Sequence, residues 1–192
     1  MARTREFDRE AALDRAMHIF WEQGYEATSL PDLLTAMGIA RQSLYDTFGD
    51  KHALFLEALE RYDSVRGAEL RTRMESAPSV RRAFRELFLG IVDETVHQKR
   101  RGCMAISATV ELAAHDPEVA KASASRHRLV EAVFFRALET ARESGEIPRA
   151  KDTRALARFL LAALQGLRVS AAASPDAAAL RDIVDITLQA FD

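Results

Sequence analysis

SLPDLLTAMGIARQSLYDTFGDK, from Ser29 to Lys51, holds two short apolar periods separated by a glycine. Leu30, Leu33, Leu34 and Met37 recur at helical spacing, which predicts a short amphipathic helix over Pro31–Met37. Ser29 is placed to cap it, and Asp32 sets a carboxylate near the positive end of the helix dipole. Gly38 ends it at a position where a left-handed backbone turn is easiest for glycine. A second helix is predicted over Arg41–Phe48, with Leu44, Tyr45 and Phe48 available for packing; Gly49 closes it and Asp50 caps the next. Two short helices joined by a three- or four-residue turn containing glycine describe a helix-turn-helix.

The residues that packing leaves over carry the chemistry. Arg41, Gln42 and Ser43 open the second helix, the end that meets base edges in such a motif. Arginine bonds two acceptors on guanine, and glutamine bonds adenine as donor and acceptor together. Tyr45, Thr47 and Lys51 supply hydroxyls and a charge suited to phosphate oxygens, which position a protein on DNA without reading sequence. The plainer alternative is a helical hairpin whose Arg41 and Gln42 are simply solvated.

The longer run GYEATSLPDLLTAMGIARQSLYDTFGDKHALFLEAL resembles the N-terminal domain of TetR-type (TetR/AcrR) transcriptional regulators. Gly24-Tyr25, Thr28-Ser29, Gly38-Ile39, Leu44-Tyr45-Thr47-Phe48 and Lys51 follow the order of that family's pattern. The resemblance implies DNA contacts from Thr28 and Ser29 besides those named above. Two positions depart from it. Ala40 stands where the family often has Ser or Thr, so the second helix lacks a side-chain cap. Thr47 stands where it often has His.

Length and composition set the frame. A chain of 192 residues, 48% hydrophobic and 29% charged, is long enough for one large domain or two small ones around a substantial core. Its periodicity is helical almost throughout, so an all-α fold of about nine helices is expected. The charged start MARTREFDRE has no apolar stretch of a signal peptide, and no run of about 18 apolar residues suggests a membrane span. A single cysteine suits a reducing cytoplasm. Net charge is −2, and residues 1–55 carry six basic against nine acidic side chains, a net of −3. DNA binding therefore has to rest on how a few cations are placed. Arg3 and Arg5 are candidates for a groove-binding arm or a frayed end.

Taken in order, a helix is predicted over Phe7–Gln23, with Leu13, Ala16, Met17, Phe20 and Trp21 on one stripe. Together with the two helices above it makes a three-helix head, residues 1–52. A long helix over Lys51–Ser76 leads from the head into the effector and dimerisation domain, 53–192, as a lever or a strut. Further helices are expected from Pro78 to about Gln98, Cys103–Ala114, Pro117–Glu143 capped by Asp116, Asp152–Ala173, and from a Ser174-Pro175 start to Phe191. Lys99–Gly102 is expected to be a turn. The last two helices carry more apolar surface than one core face needs. TetR-like proteins dimerise through a four-helix bundle of such helices, which puts Leu180, Val184 and Leu188 at the expected interface and two recognition helices ~34 Å apart.

The resemblance further implies an effector pocket, for which Phe88, Val92, Thr95, Met104, Val110, His127, Phe134 and Gln165 are the candidate walls, against plain core. Cys103 sits at a predicted helix N-terminus after Lys99, Arg100 and Arg101, a setting that favours thiolate and hence redox or electrophile sensing, against inert packing. The five histidines show no i, i+4 pair, and His97, Cys103, His115 and His127 as a metal sensor is the weaker reading. No metal or cofactor is expected. No P-loop, G-x-G-x-x-G, G-x-S-x-G or H-E-x-x-H occurs, so a helical enzyme, like a helical ligand-binding or protein-interaction module without DNA, is the opposing reading. The expected protein is a cytoplasmic homodimeric regulator, a repressor released from a palindromic operator on double-stranded DNA by a small-molecule or electrophile effector, with no membrane partner.

Overall fold

The computed structural model describes residues 7–192, so the expected arm at Arg3 and Arg5 lies outside the described residues. Among these the secondary structure is α-helical throughout, apart from one closing 3-10 turn: α1 Arg9–Gln23, α2 Leu30–Met37, α3 Arg41–Phe48, α4 Lys51–Ser76, α5 Val80–Val92, α6 Val96–Arg101, α7 Met104–Leu112, α8 Pro117–Glu143, α9 Thr153–Ala173, α10 Ala177–Leu188, then Gln189–Phe191.

Two of the departures from the expected boundaries have a clear local reason. The helix expected to run to Gln98 stops at Val92 because Thr95 starts a new one. The Thr95 hydroxyl accepts the Gln98 N–H while the Gln98 side chain accepts the Thr95 N–H, a reciprocal capping box. Lys99, Arg100 and Arg101, expected as a turn, are thus the last turn of α6, where cations oppose the dipole's negative end. The last helix is capped by Asp176, which accepts the Ala178 N–H, and so starts after the Ser174-Pro175 pair.

The chain packs as two compact units, residues 1–65 with 103–123 and residues 66–102 with 124–192. This is not the cut expected after residue 52, because α7 and the start of α8 join the head's core. In unit 1 the inward faces of α1 (Leu13, Ala16, Phe20), α2 (Leu33, Met37) and α3 (Leu44, Phe48) meet Leu54, Phe55 and Leu59 of α4. Met104, Ala108 and Leu112 of α7 close the same cluster. Phe20 and Phe55 stack edge to face at 5.0 Å, as do Trp21 and Tyr62 at 5.0 Å, a geometry that aligns ring edges with ring faces. Arg61 grips both Asp14 oxygens from α4, and Arg15 donates to the Met37 carbonyl at 2.9 Å, satisfying one of the carbonyls orphaned at the end of α2.

In unit 2, Phe84, Phe88 and Ile91 of α5 pack with Phe134 and Leu138 of α8, Leu156, Leu160 and Leu167 of α9, and Leu180, Val184 and Leu188 of α10. Arg168 of α9 holds both oxygens of Glu94, at 2.6 and 2.7 Å, fixing the connection between α5 and α6. By length and composition α9 is apolar enough to cross a membrane, with a mean hydropathy of 1.3, although the sequence reading found no such run. Leu156, Ala157, Leu160, Leu161, Leu167 and Ala171 nonetheless place one side of it in this core.

Candidate nucleic-acid interface

Backbone geometry builds the site before any side chain acts. Ser29 accepts the Asp32 N–H and Asp32 accepts the Ser29 N–H, so both ends of a capping box fix the start of α2. The Ser29 hydroxyl, chiefly, and the Ser29 N–H hold the Asp32 carboxyl below its ordinary value. Gly38 ends α2 in the left-handed region, φ 68 and ψ 36, with its N–H on the Leu34 carbonyl; three residues later α3 begins. Ala40 precedes α3 without a side-chain cap, as the departure from the family pattern implied. Ala40 therefore offers the first N–H groups of α3 no side-chain acceptor.

Leu44 and Phe48 anchor α3 in the core of unit 1 and turn the opposite face outward. Arg41, Gln42, Tyr45 and Asp46 are exposed on that face, with Ser43 and Thr47 half-buried beside them. The structure thus brings the expected base-reading and phosphate-contacting residues of α3 onto one surface. Gln42 is not idle there: its Nε2 donates to Asp46 at 2.7 Å, an i, i+4 bond that base contact would have to replace. Lys51 opens α4 with its Nζ 4.3 Å from the centre of the Tyr25 ring. Burial, chiefly, with the charges of Glu26, Asp50 and Asp116, raises the Tyr25 phenol above its ordinary value, so the ring stays neutral beneath that ammonium.

Thr28 is corrected. It is 1% exposed, and its hydroxyl donates back to the Gly24 carbonyl at 2.5 Å, closing the turn between α1 and α2. The side chain shapes the turn and does not reach outward. Ser29 is exposed, with its hydroxyl engaged by Asp32 at 2.5 Å.

The remaining expected sites fare unevenly. Phe88, Val92 and Phe134 share the core of unit 2, and Thr95 is the α6 cap, whereas Met104 belongs to the core of unit 1. Val110 is 81% exposed and His127 is exposed, whereas Gln165 is half-buried. A cleft of about 440 Å³ does occur in unit 2, lined by Ser79, Arg81, Arg82, Arg85, Asp185 and Leu188. Cys103 is half-buried as the N-cap residue of α7, its Sγ 3.5 Å from the Tyr62 hydroxyl. Among the described residues no three of His, Cys, Asp and Glu gather as metal ligands, so His97, Cys103, His115 and His127 make no such group.

Leu180, Val184 and Leu188 are corrected too: all three are buried in the core of their own unit, at most 4% exposed, and present nothing to a second copy. Periodicity identifies an apolar face but not which of two apolar faces turns inward. The outward stripe is Ala155, Phe159, Ala162, Gly166, Val169 and Ala173 on α9, with Ala179, Ile183 and Ile186 on α10, spaced alternately four and three residues apart. Sequence reasoning also passed over Glu111, whose carboxylate accepts N–H groups of the α1–α2 turn more than 80 residues away.

A helix-turn-helix with an outward Arg41 and Gln42, set on an all-helical two-unit chain, defines a DNA-binding transcriptional regulator. Comparison with known proteins places it within that class. Residues 12–58 match the model of the bacterial regulatory proteins of the tetR family, and residues 78–186 match a tetracyclin repressor-like C-terminal domain. The uncharacterized HTH-type transcriptional regulator YezE of Bacillus subtilis is 39% identical over 100% of both chains. The HTH-type transcriptional repressor ComR of Escherichia coli is 35% identical, covering 97% of this chain and 90% of its own. Among solved structures, a cysteine-substituted TetR family regulator CifR in complex with a 26-base-pair operator superposes with a TM-score of 0.87. It is 32% identical and covers 99% of this chain and 100% of its own. The chain belongs to the TetR family of transcriptional regulators.

Proposed function

We propose that the protein is a repressor that binds a palindromic operator as a homodimer and leaves it when a small-molecule or electrophile effector binds. The observation that carries the DNA reading is the outward face of α3, where Arg41 and Gln42 stand free of the core while Leu44 and Phe48 lock the helix. Likeness to CifR, solved with operator DNA, supports the DNA reading, and likeness to the repressor ComR supports the sign of regulation. A cytoplasmic location follows from work on chromosomal operators.

The dimer reading rests on the outward stripe of α9 and α10. Phe159 (48% exposed), Val169 (55%), Ile183 (38%) and Ile186 (66%) stand in water on a stripe otherwise made of small residues, Gly166 and alanines, that allow close helix approach. Alternating steps of four and three are the spacing of helices that pack on helices. A second copy presenting the same stripe completes a four-helix arrangement and removes this surface from water. Cys103, at the N-terminus of α7 beside the Tyr62 hydroxyl, is where an electrophile would act.

Selection from a random double-stranded DNA pool tests the proposal. The expected product is a palindrome whose half-sites lie about one helical turn apart, ~34 Å or a multiple of it. Recovery of no enriched sequence would refute DNA recognition, and enrichment of a lone half-site would refute the dimer.

A further inference from the structure

Glu111 lies on α7, yet both its oxygens serve the turn between α1 and α2. Oε2 accepts the Tyr25 N–H at 3.1 Å and Oε1 accepts the Glu26 N–H at 2.8 Å. Those two N–H groups lie past the end of α1; the Tyr25 N–H is half-buried and so needs an acceptor from elsewhere, while the Glu26 N–H is exposed. Gly24 makes the approach feasible: its φ is +82, and a Cβ there would stand 3.0 Å from Glu111 Oε2. From the other side the Thr28 hydroxyl closes the turn onto the Gly24 carbonyl.

The turn so fixed is the base of the Tyr25 side chain. Its ring packs against Phe55 at 4.9 Å, and the Lys51 ammonium rests 4.3 Å from its centre. Next to Lys51, His52 Nε2 lies 2.6 Å from Asp116 Oδ2, and Asp116 caps α8 by accepting the Glu118 and Val119 N–H groups. The corner between α7 and α8 therefore holds both segments that place Lys51, the α1–α2 turn and the first turn of α4. All of these contacts lie within unit 1.

We propose that Glu111 is a positioning residue for DNA binding, which sets through Tyr25 where the Lys51 ammonium meets the phosphate backbone. This rests on the reading of Lys51 as a phosphate contact. Glutamine at 111 is the informative replacement, because its amide offers one acceptor oxygen and turns a donor NH2 toward the second N–H.

The experiment measures operator affinity against salt for the wild type, Glu111→Gln, Lys51→Ala and the double variant, on the sequence the wild type selects. Lys51→Ala is expected to lower the slope of log K against log salt by ~0.9, one phosphate's share. Glu111→Gln is expected to weaken binding roughly fivefold to tenfold, within the range for the net worth of one ordinary hydrogen bond, and to lower the slope in the same direction. In the Lys51→Ala background it is expected to cost less than twofold, since the group it acts through is gone. An unchanged affinity and slope, or the same loss with and without Lys51, would overturn the proposal and leave Glu111 a general stabiliser. Should Glu111→Gln fail to fold, Tyr25→Leu carries the same cycle, since it keeps both backbone bonds to Glu111 and removes the ring. A wild type that selects no DNA would instead overturn the DNA reading itself, and that result is seen before any substitution is made.

Discussion

Ser29 and Asp32 form a two-residue lock at the head of α2, and its chemistry gives the head a pH dependence. Asp32 is held below its ordinary value chiefly by the Ser29 hydroxyl, and Asp116 is held below it chiefly by the Val119 N–H, with His52 adding. A carboxyl with a depressed folded value adds stability above the unfolded value of ~3.9 and loses that contribution as pH falls toward the folded one. The head is therefore expected to weaken below about pH 4. Ser29→Ala removes the largest cause acting on Asp32 and the cap on α2, at a cost of ~1 kcal/mol. Acid titration followed by NMR should show Asp32 returning toward its ordinary value in Ser29→Ala while Asp116 stays low. If Asp32 does not move, the capping box is not what holds it.

At the scale of an element, α3 is eight residues long and too short to persist without tertiary anchors. Leu44 is fully buried, so Leu44→Ala removes one of its two anchors and is expected to destabilise unit 1 by ~2–5 kcal/mol. Denaturant titration measures it, and a loss under ~1 kcal/mol would mean that α3 is held by something other than its core face. How far such elements were legible in sequence depended on how local their causes are. Gly38, Gly49 and Asp152 act within a turn of their own position, and the helices they bound were found at the expected residues. The break between α5 and α6 was missed because an apolar period runs toward Gln98, while the reciprocal bonds of Thr95 and Gln98 outweigh it. Thr28 was expected to contact DNA by family resemblance, and nothing in the sequence shows its hydroxyl folding back on Gly24. The clamp of Glu111 on Tyr25 was invisible for a simpler reason, as its partners are 86 residues apart.

At the scale of the whole molecule, the proposed homodimer would form through α9 and α10, which are apolar on both sides. Leu180, Val184 and Leu188 face their own core; Ile183 and Ile186 face outward. The two faces give opposite outcomes for the same new charge. Ile186→Arg is expected to fold and to sediment as a monomer with weak operator binding. Val184→Arg is expected to unfold unit 2, since an unpaired charge in its core costs ~3–5 kcal/mol. A dimeric Ile186→Arg protein would place the interface elsewhere. Everything in this account nevertheless depends on α3 reading DNA through Arg41 and Gln42. The most direct measurement is the affinity of the Arg41→Ala, Gln42→Ala double variant for the selected operator and for an unrelated duplex of equal length. Each lost base contact costs ~1–3 kcal/mol, so the double variant should bind the two duplexes almost alike while keeping the wild-type salt dependence on the unrelated one. Full, sequence-selective binding by that variant would contradict the assignment of α3 as the recognition helix.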